Sequence, residues 1–412
     1  MSRLPSGLHA LNSTQFLGAM NDNILKLLII FYLIQQQGTA KAGVITALVG
    51  AAFALPFLLF SAVAGCLADR YSKARVSVWV KLLEVLIALF AVAVFALQFA
   101  NGLYLLMFLM AAQSALFSPA KYGIIPELAS HEELSRANGL IEAWTFLAII
   151  FGTVVGPLAT QAVAGRFWVA ACLCLAVAVA GLISSLRLPP VPAAAPERAI
   201  RVFPAEIYRT LRQVYHDRWL LLALVGLAWF WLLGAFAQLN LIAYGMQKLG
   251  ISDVQSGYLF LASAFGIAGG SLLAARISGK DVELGLVPLG GLGMTAAALL
   301  LQLIPASLYL VVAVILLFGI SAGLFSLPLQ TFIQVRADVA LRGEVLAASS
   351  FVNWIGILIA SAVTFLFSGP LQLAAAWGFG FMGLVNLLAV ALLVRYQPEL
   401  LVHTTALLRR SR

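Results

Sequence analysis

Charge is what this 412-residue chain has least of, since Lys, Arg, Asp and Glu make up only 10% of it. An ordinary soluble domain carries about 25%. That shortage excludes a water-soluble globular fold, because too little polar surface is present to face solvent. Cysteine is nearly absent: Cys66, Cys172 and Cys174 are odd in number and scattered, which gives neither a disulfide framework nor metal-ligand spacing. The four histidines, His9, His131, His216 and His403, are expected in loops or tails, so a histidine proton relay at mid-membrane depth is not in view. No motif calls for a cofactor. No His-x-x-x-x-Asp arrangement or nucleophile elbow suggests a membrane-embedded acyltransferase, so no enzyme activity is expected.

What is present is apolar. Hydrophobic residues form 62% of the chain, and its mean hydropathy is +1.01. Twelve apolar stretches recur, over 11–36, 44–67, 76–98, 102–120, 136–163, 167–187, 219–246, 255–276, 284–303, 306–327, 344–368 and 372–395. Most reach the roughly 20 residues that a helix needs to cross a hydrocarbon core about 30 Å thick. The fold class expected is all-α integral membrane, with twelve transmembrane helices in two pseudo-symmetric six-helix bundles. One long polar segment, 188–218, divides the spans six and six. The expected domains are therefore 1–187, a cytoplasmic linker 188–218, a second bundle 219–395 and a cytoplasmic tail 396–412. Within the linker, Glu206 to Trp219 is expected to form a helix along the membrane surface.

Basic residues set the orientation. Arg3, Arg70, Lys73, Arg75, Arg198, Arg201, Arg336 and the Arg409–Arg410 pair fall on one side, whereas the other holds little beyond Lys41, Arg166 and Lys248. Both termini are expected in the cytoplasm, and the short N-terminus predicts no cleaved signal peptide. The net charge of +9 follows from this bias and from anionic lipid at that surface, so no nucleic-acid partner is read into it.

Charges inside the spans are the functional clue. Asp22, flanked by Asn21 and Asn23, stands one helical turn from Lys26. A charge at mid-bilayer costs roughly 2.5 to 3.5 kcal/mol on insertion scales. The two are either an internal ion pair or the lining of a wet cavity. Lys81 lies close enough to the end of its span to snorkel towards the headgroups, with Glu84 within reach at i, i+3. Both are therefore set outside the primary site. Lys121 belongs to Ser118-Pro119-Ala120-Lys121-Tyr122-Gly123, where Pro119 and Gly123 are expected to break the helix and present donors to an anion. Asn138 and Glu142 share a face at i, i+4. Glu142 is either paired with Lys121 or Arg136 or available to a ligand. The second half offers neutral groups at depth, among them Gln238, Asn240, Gln330 and Asn353.

Gly65-Cys66-Leu67-Ala68-Asp69-Arg70-Tyr71-Ser72-Lys73-Ala74-Arg75 resembles the signature loop of the major facilitator superfamily. Gly65 allows close helix approach, and Asp69 can take donors from a neighbouring helix end, which suggests a conformational latch involving Arg70, Lys73 and Arg75. The alternative is a solvated loop that only sets topology. In the second half, Ala274 and Ala275 stand where Asp69 and Arg70 do, so the latch is expected to be asymmetric. Gly152-Thr153-Val154-Val155-Gly156-Pro157 resembles part of an antiporter motif, but reads better as a small-residue packing face. This face and Gly266 to Gly270 are candidate seams for lateral opening.

Phe16-Leu17-Gly18-Ala19-Met20-Asn21-Asp22-Asn23, the signature loop, Ser118 to Gly123 and Arg136-Ala137-Asn138-Gly139-Leu140-Ile141-Glu142-Ala143 together are similar to the bacterial lysophospholipid transporters of that superfamily. The resemblance implies movement of lysophosphatidylethanolamine, and of relatives such as lysophosphatidylglycerol, from the outer to the inner leaflet of the bacterial inner membrane by alternating access. Reacylation would then fall to a separate acyltransferase/acyl carrier protein synthetase. The substrate-binding set it suggests is Asp22, Asn23, Lys26, Lys121, Asn138, Glu142, Gln238 and Asn353. A proton-coupled exporter or permease of small hydrophobic compounds is the other reading of the same residues.

Overall fold

A computed structural model describes residues 5–38, 42–163, 165–197, 204–251, 253–368 and 370–410. Four of the basic residues that bear on orientation, Arg3, Lys41, Arg198 and Arg201, lie outside them. The helices run α1 Ser6–Gln37, α2 Ala42–Arg70, α3 Lys73–Ala96, α4 Ala100–Leu128, α5 Leu134–Ala162, α6 Phe167–Ser185, α7 Pro204–Val214, α8 Arg218–Tyr244, α9 Asp253–Ser278, α10 Leu286–Leu303, α11 Leu308–Arg336, α12 Arg342–Ser368, α13 Ala375–Tyr396 and α14 Glu399–Arg410. Twelve of them are long and apolar enough to cross a membrane. In hydrocarbon a helix is the economical solution, because each backbone N–H and C=O finds its partner within the same segment. The helices outrun the apolar stretches at several ends. His9 therefore falls inside α1 instead of the terminal tail expected, whereas His403 lies in the tail as expected, on the short helix α14.

The chain forms two compact units. The first comprises Met1–Ser130, Leu147–Arg218 and Arg336–Phe351. Here α3 packs on α4 and α6, α2 on α4, and α1 on α6. Their core is aliphatic and aromatic, with Leu28, Leu33, Leu103 and Met107 fully buried and Tyr32 set edge-on to Phe95 and Phe167. Gly152 brings α5 against α1: a methyl placed there would lie 2.7 Å from both Asn23 Cβ and Met20 O.

The second unit comprises His131–Phe146, Trp219–Val335 and Val352–Arg412. Glycines set its seams. A methyl on Gly266 of α9 would lie 2.5 Å from Leu316 O of α11, and one on Gly290 of α10 would lie 2.6 Å from Ser321 O. Such backbone approach is the usual basis of helix association in lipid, where burying apolar area gains nothing. The two small-residue seams are thus closely packed. Trp229 and Asn386 add a hydrogen bond of 2.9 Å between α8 and α13.

Two local expectations fail. The linker helix ends at Val214, not Trp219, because Tyr215, His216 and Asp217 turn back on Leu211, Gln213 and Val214 through backbone bonds of 2.9 to 3.2 Å, and a new helix starts at Arg218. The second concerns α4, which runs unbroken past Pro119 and Gly123 to Leu128. A proline forfeits one helical hydrogen bond. Here packing on α2 and α3 holds the helix together, and Gly123 serves another purpose: a methyl there would lie 3.1 Å from Lys73 Cε.

Candidate functional site

A buried polar chain crosses the first unit from α3 to α1. Lys81 Nζ lies 2.6 Å from Glu84 Oε2, and both residues are nearly sealed, at 1% and 4% side-chain exposure. Lys81 therefore does not snorkel. It points inward over the Phe117 ring, 5.0 Å from the centroid, and a side chain at Gly18 would collide with its ammonium. Glu84 accepts two further bonds, from Asn21 Nδ2 at 2.9 Å and Gln113 Nε2 at 3.2 Å. Because Gln113 turns its amide nitrogen to that carboxylate, its oxygen faces Ser114 Oγ, 3.0 Å away. Ser114 Oγ in turn lies 2.6 Å from Asp22 Oδ2.

Asp22 and Lys26 are not joined as an ion pair among the described residues. Asp22 takes its bond from Ser114 on α4, while Lys26 Nζ donates to Asn23 Oδ1 at 3.3 Å and lies 5.7 Å from the Phe53 centroid. The i, i+4 spacing allowed contact, but Asp22 turns to Ser114 of α4 and Lys26 to Asn23 of its own helix. The outcome leaves acceptors open. Asp22 Oδ1 and Asn21 Oδ1 are buried with no hydrogen-bond partner among the described residues. The single hydroxyl hydrogen of Ser114 also has two acceptors before it, Asp22 Oδ2 and Gln113 Oε1. This stretch of α1 is short of donors. Lys121 is buried on α4, with its Nζ 4.4 Å from the Tyr122 centroid.

At the end of α2, Asp69 is fully buried. Its Oδ1 accepts from Gly343 N at 2.7 Å and its Oδ2 from Glu344 N at 3.1 Å. These are unsatisfied donors of the first turn of α12, so a carboxylate there meets both the open N–H groups and the positive end of the helix dipole. Gly65 permits the approach: a methyl on it would lie 2.8 Å from Ala347 Cβ and 2.9 Å from Gly343 O. Lys73 pairs with Glu127 of α4 at 2.5 Å. Arg70 lies 5.7 Å from the Tyr71 ring centroid, and Arg75 is exposed.

The second unit holds the other sequence candidates. Asn138 and Gln334 exchange two amide hydrogen bonds, of 2.7 and 2.8 Å, between α5 and α11. Next to them, a methyl on Gly139 would lie 2.7 Å from Ala275 Cβ and 2.9 Å from Ser271 O of α9. Glu142 Oε1 accepts from Ser326 Oγ at 3.0 Å. Asn353 Oδ1 is buried without a hydrogen-bond partner among the described residues, whereas Gln238 is exposed. Asn240 donates to Ala375 O at 2.8 Å, a bond that ties α8 to the start of α13.

Sequence reasoning thus set Lys81 and Glu84 outside the primary site and did not name Gln113 or Ser114. Two signals were available in it: the i, i+3 charge pair well inside α3, and the Gly18 that makes room for an ammonium.

The sequence profile of the Major Facilitator Superfamily matches residues 11–361. The Lysophospholipid transporter LplT of Enterobacter sp. (strain 638) is 29% identical over 336 residues, 80% of each chain. That of Serratia proteamaculans (strain 568) is 30% identical over 326 residues, 78% of each chain. Among solved structures, the human organic anion transporter MFSD10 (TETRAN) superposes with a TM-score of 0.72 over 94% of this chain and 99% of its own, at 18% identity, which is a likeness of fold.

Proposed function

The chain belongs to the Major Facilitator Superfamily, in its lysophospholipid transporter family, and we propose that it carries lysophosphatidylethanolamine and related lysolipids from the outer to the inner leaflet of a bacterial inner membrane. The carrier works by alternating access with both termini in the cytoplasm, and a separate enzyme reacylates the delivered lipid. One observation carries the reading, the donor-poor patch at Asp22 and Asn21. A primary ammonium headgroup brings several N–H donors to such a place, and a charge-assisted bond to a carboxylate is about twice as strong as a neutral one. The same headgroup carries a phosphate, which suits the ammonium groups of Lys26 and Lys121 on the same unit. Matching both charges avoids leaving either unpaired away from water. Asn23 orients Lys26. Asn138, Glu142, Gln238 and Asn353 are proposed as further substrate-binding residues.

The test is uptake of labelled lysolipid into proteoliposomes. Asp22→Ala, Lys121→Ala and Glu142→Ala should each lower uptake by about tenfold, the equivalent of one charge-assisted contact of about 1.4 kcal/mol, with membrane expression unchanged. Normal uptake in all three variants would sink the site assignment. Protection against hydrophobic drugs without lysolipid uptake would favour the exporter reading, which the half-buried carboxylates of Asp22 and Glu142 also accommodate.

A further inference from the structure

The linker between the two six-span halves of the sequence makes more contacts than a tether needs. Its first stretch bonds directly to the latch residue: Ala195 N donates to Asp69 O at 2.8 Å, with Leu188 and Val191 buried nearby in sequence. Its helix, α7, then lays an apolar stripe across the same crossing. Ile207, Thr210 and Val214 are 5%, 4% and 3% exposed, whereas Tyr208 on the opposite face is 70% exposed. Ile207 packs with Ala62 of α2 and Ala348 of α12 in one cluster, joined by Leu211 and Phe351. Thr210 Oγ1 lies 3.4 Å from Glu344 Oε2, the residue whose N–H caps Asp69. Beyond α7, Asp217 is held by Arg336 at 2.6 Å.

We propose that α7 is a strap over the Asp69 crossing, and that it must release α12 before α2 and α12 can part. The physical argument is geometric. One short helix is packed on both sides of a joint, so the joint cannot open while both contacts persist. Ile207 of α7 packs with both Ala62 of α2 and Ala348 of α12, and in the proposal α12 is the side that α7 leaves. A native reporter lies inside the joint: Cys66, 1% exposed, has its thiol 3.5 Å from Glu344 Oε1.

The experiment uses the full chain in membranes with Cys172→Ser and Cys174→Ser, so that alkylation by N-ethylmaleimide reads Cys66 alone. Ile207→Ala should raise the alkylation rate by about tenfold, because burial at a joint is lost in proportion to the population of its open form. Leu103→Ala, in a different buried cluster of the same unit, should leave the rate unchanged. An unchanged rate in Ile207→Ala, or an equal rise in Leu103→Ala, would overturn the proposal. Thr210→Val repeats the measurement if the first variant fails to insert. In a background lacking the three native cysteines, an oxidised Ile207→Cys/Ala348→Cys pair should abolish lysolipid uptake until reductant is added. An oxidised Ala62→Cys/Ile207→Cys pair should not. Uptake that continues through the Ile207–Ala348 bridge would also overturn the strap. Because the alkylation arm needs no substrate, its outcome is independent of the lysolipid assignment.

Discussion

Two crossings between helices distant in sequence share a packing plan and differ in how they are closed. At the first, Gly65 lets α2 meet α12, and the Asp69 carboxylate caps the helix it touches. At the second, Gly139 lets α5 meet α9, and the neighbouring Asn138 is closed by a neutral, reciprocal amide exchange with Gln334. The charged closure is one-sided: the anion gives nothing that the helix end could find elsewhere in an apolar setting, and removing it orphans two N–H groups. The amide pair is self-contained. Each partner donates and accepts, so both can be removed together with little left unsatisfied. Steric complementarity is therefore common to the two joints, while electrostatic sensitivity is concentrated in one.

The largest expected effect tests what they share. Gly65→Val and Gly139→Val should each destabilise the protein by up to about 3 kcal/mol, read as a lower thermal midpoint in detergent, since both force backbone apart. A clear difference between them would break the common plan. Next comes Asp69→Ala, expected to cost about 2 kcal/mol by stranding the N–H groups of Gly343 and Glu344. Asn138→Leu alone should cost about 1 to 2 kcal/mol, because the Gln334 amide is left buried and unpaired, whereas Asn138→Leu with Gln334→Leu should cost less than about 1 kcal/mol. If the double variant is worse than the single, the neutral joint is not self-contained and the contrast fails. The smallest effect belongs to Arg75→Ala, which should change stability by less than about 0.5 kcal/mol because the side chain is exposed. A larger loss would extend the charged joint into the loop.

Much of the fold was legible because hydrocarbon permits so few solutions: twelve apolar stretches predicted twelve spanning helices, and twelve helices long and apolar enough to span are found. Their ends were less legible. The chain continues as helix through polar residues wherever neighbours pack, as α4 does beyond Pro119. For the candidate site, sequence identified which charges are costly but not the direction in which they point. Asp22 was conspicuous for lying among apolar residues, yet its partner is Ser114, 92 residues away, which no local spacing discloses. Lys81 was set aside since long cationic side chains near a span end commonly escape to the headgroups. In fact α3 begins at Lys73, so Lys81 lies two turns inside it and faces Glu84. The basic loop drew attention to Asp69, but the donors that meet it lie 274 and 275 residues further on.

The division of α5 and α12 between the compact units bears on how the protein is made. Residues 131–146 belong with partners that follow position 218, and residues 336–351 complete a unit whose remainder is translated long before. Neither half of the sequence thus contains the whole of a unit. A nascent chain that has emerged only as far as the linker holds a carboxylate at Asp69 and a bare backbone groove at Gly65 without the helix end that will cover them. Such late, non-local closure delays completion and leaves a polar surface waiting in the membrane. Two halves synthesised as separate polypeptides should accordingly be degraded when expressed singly and protected when expressed together.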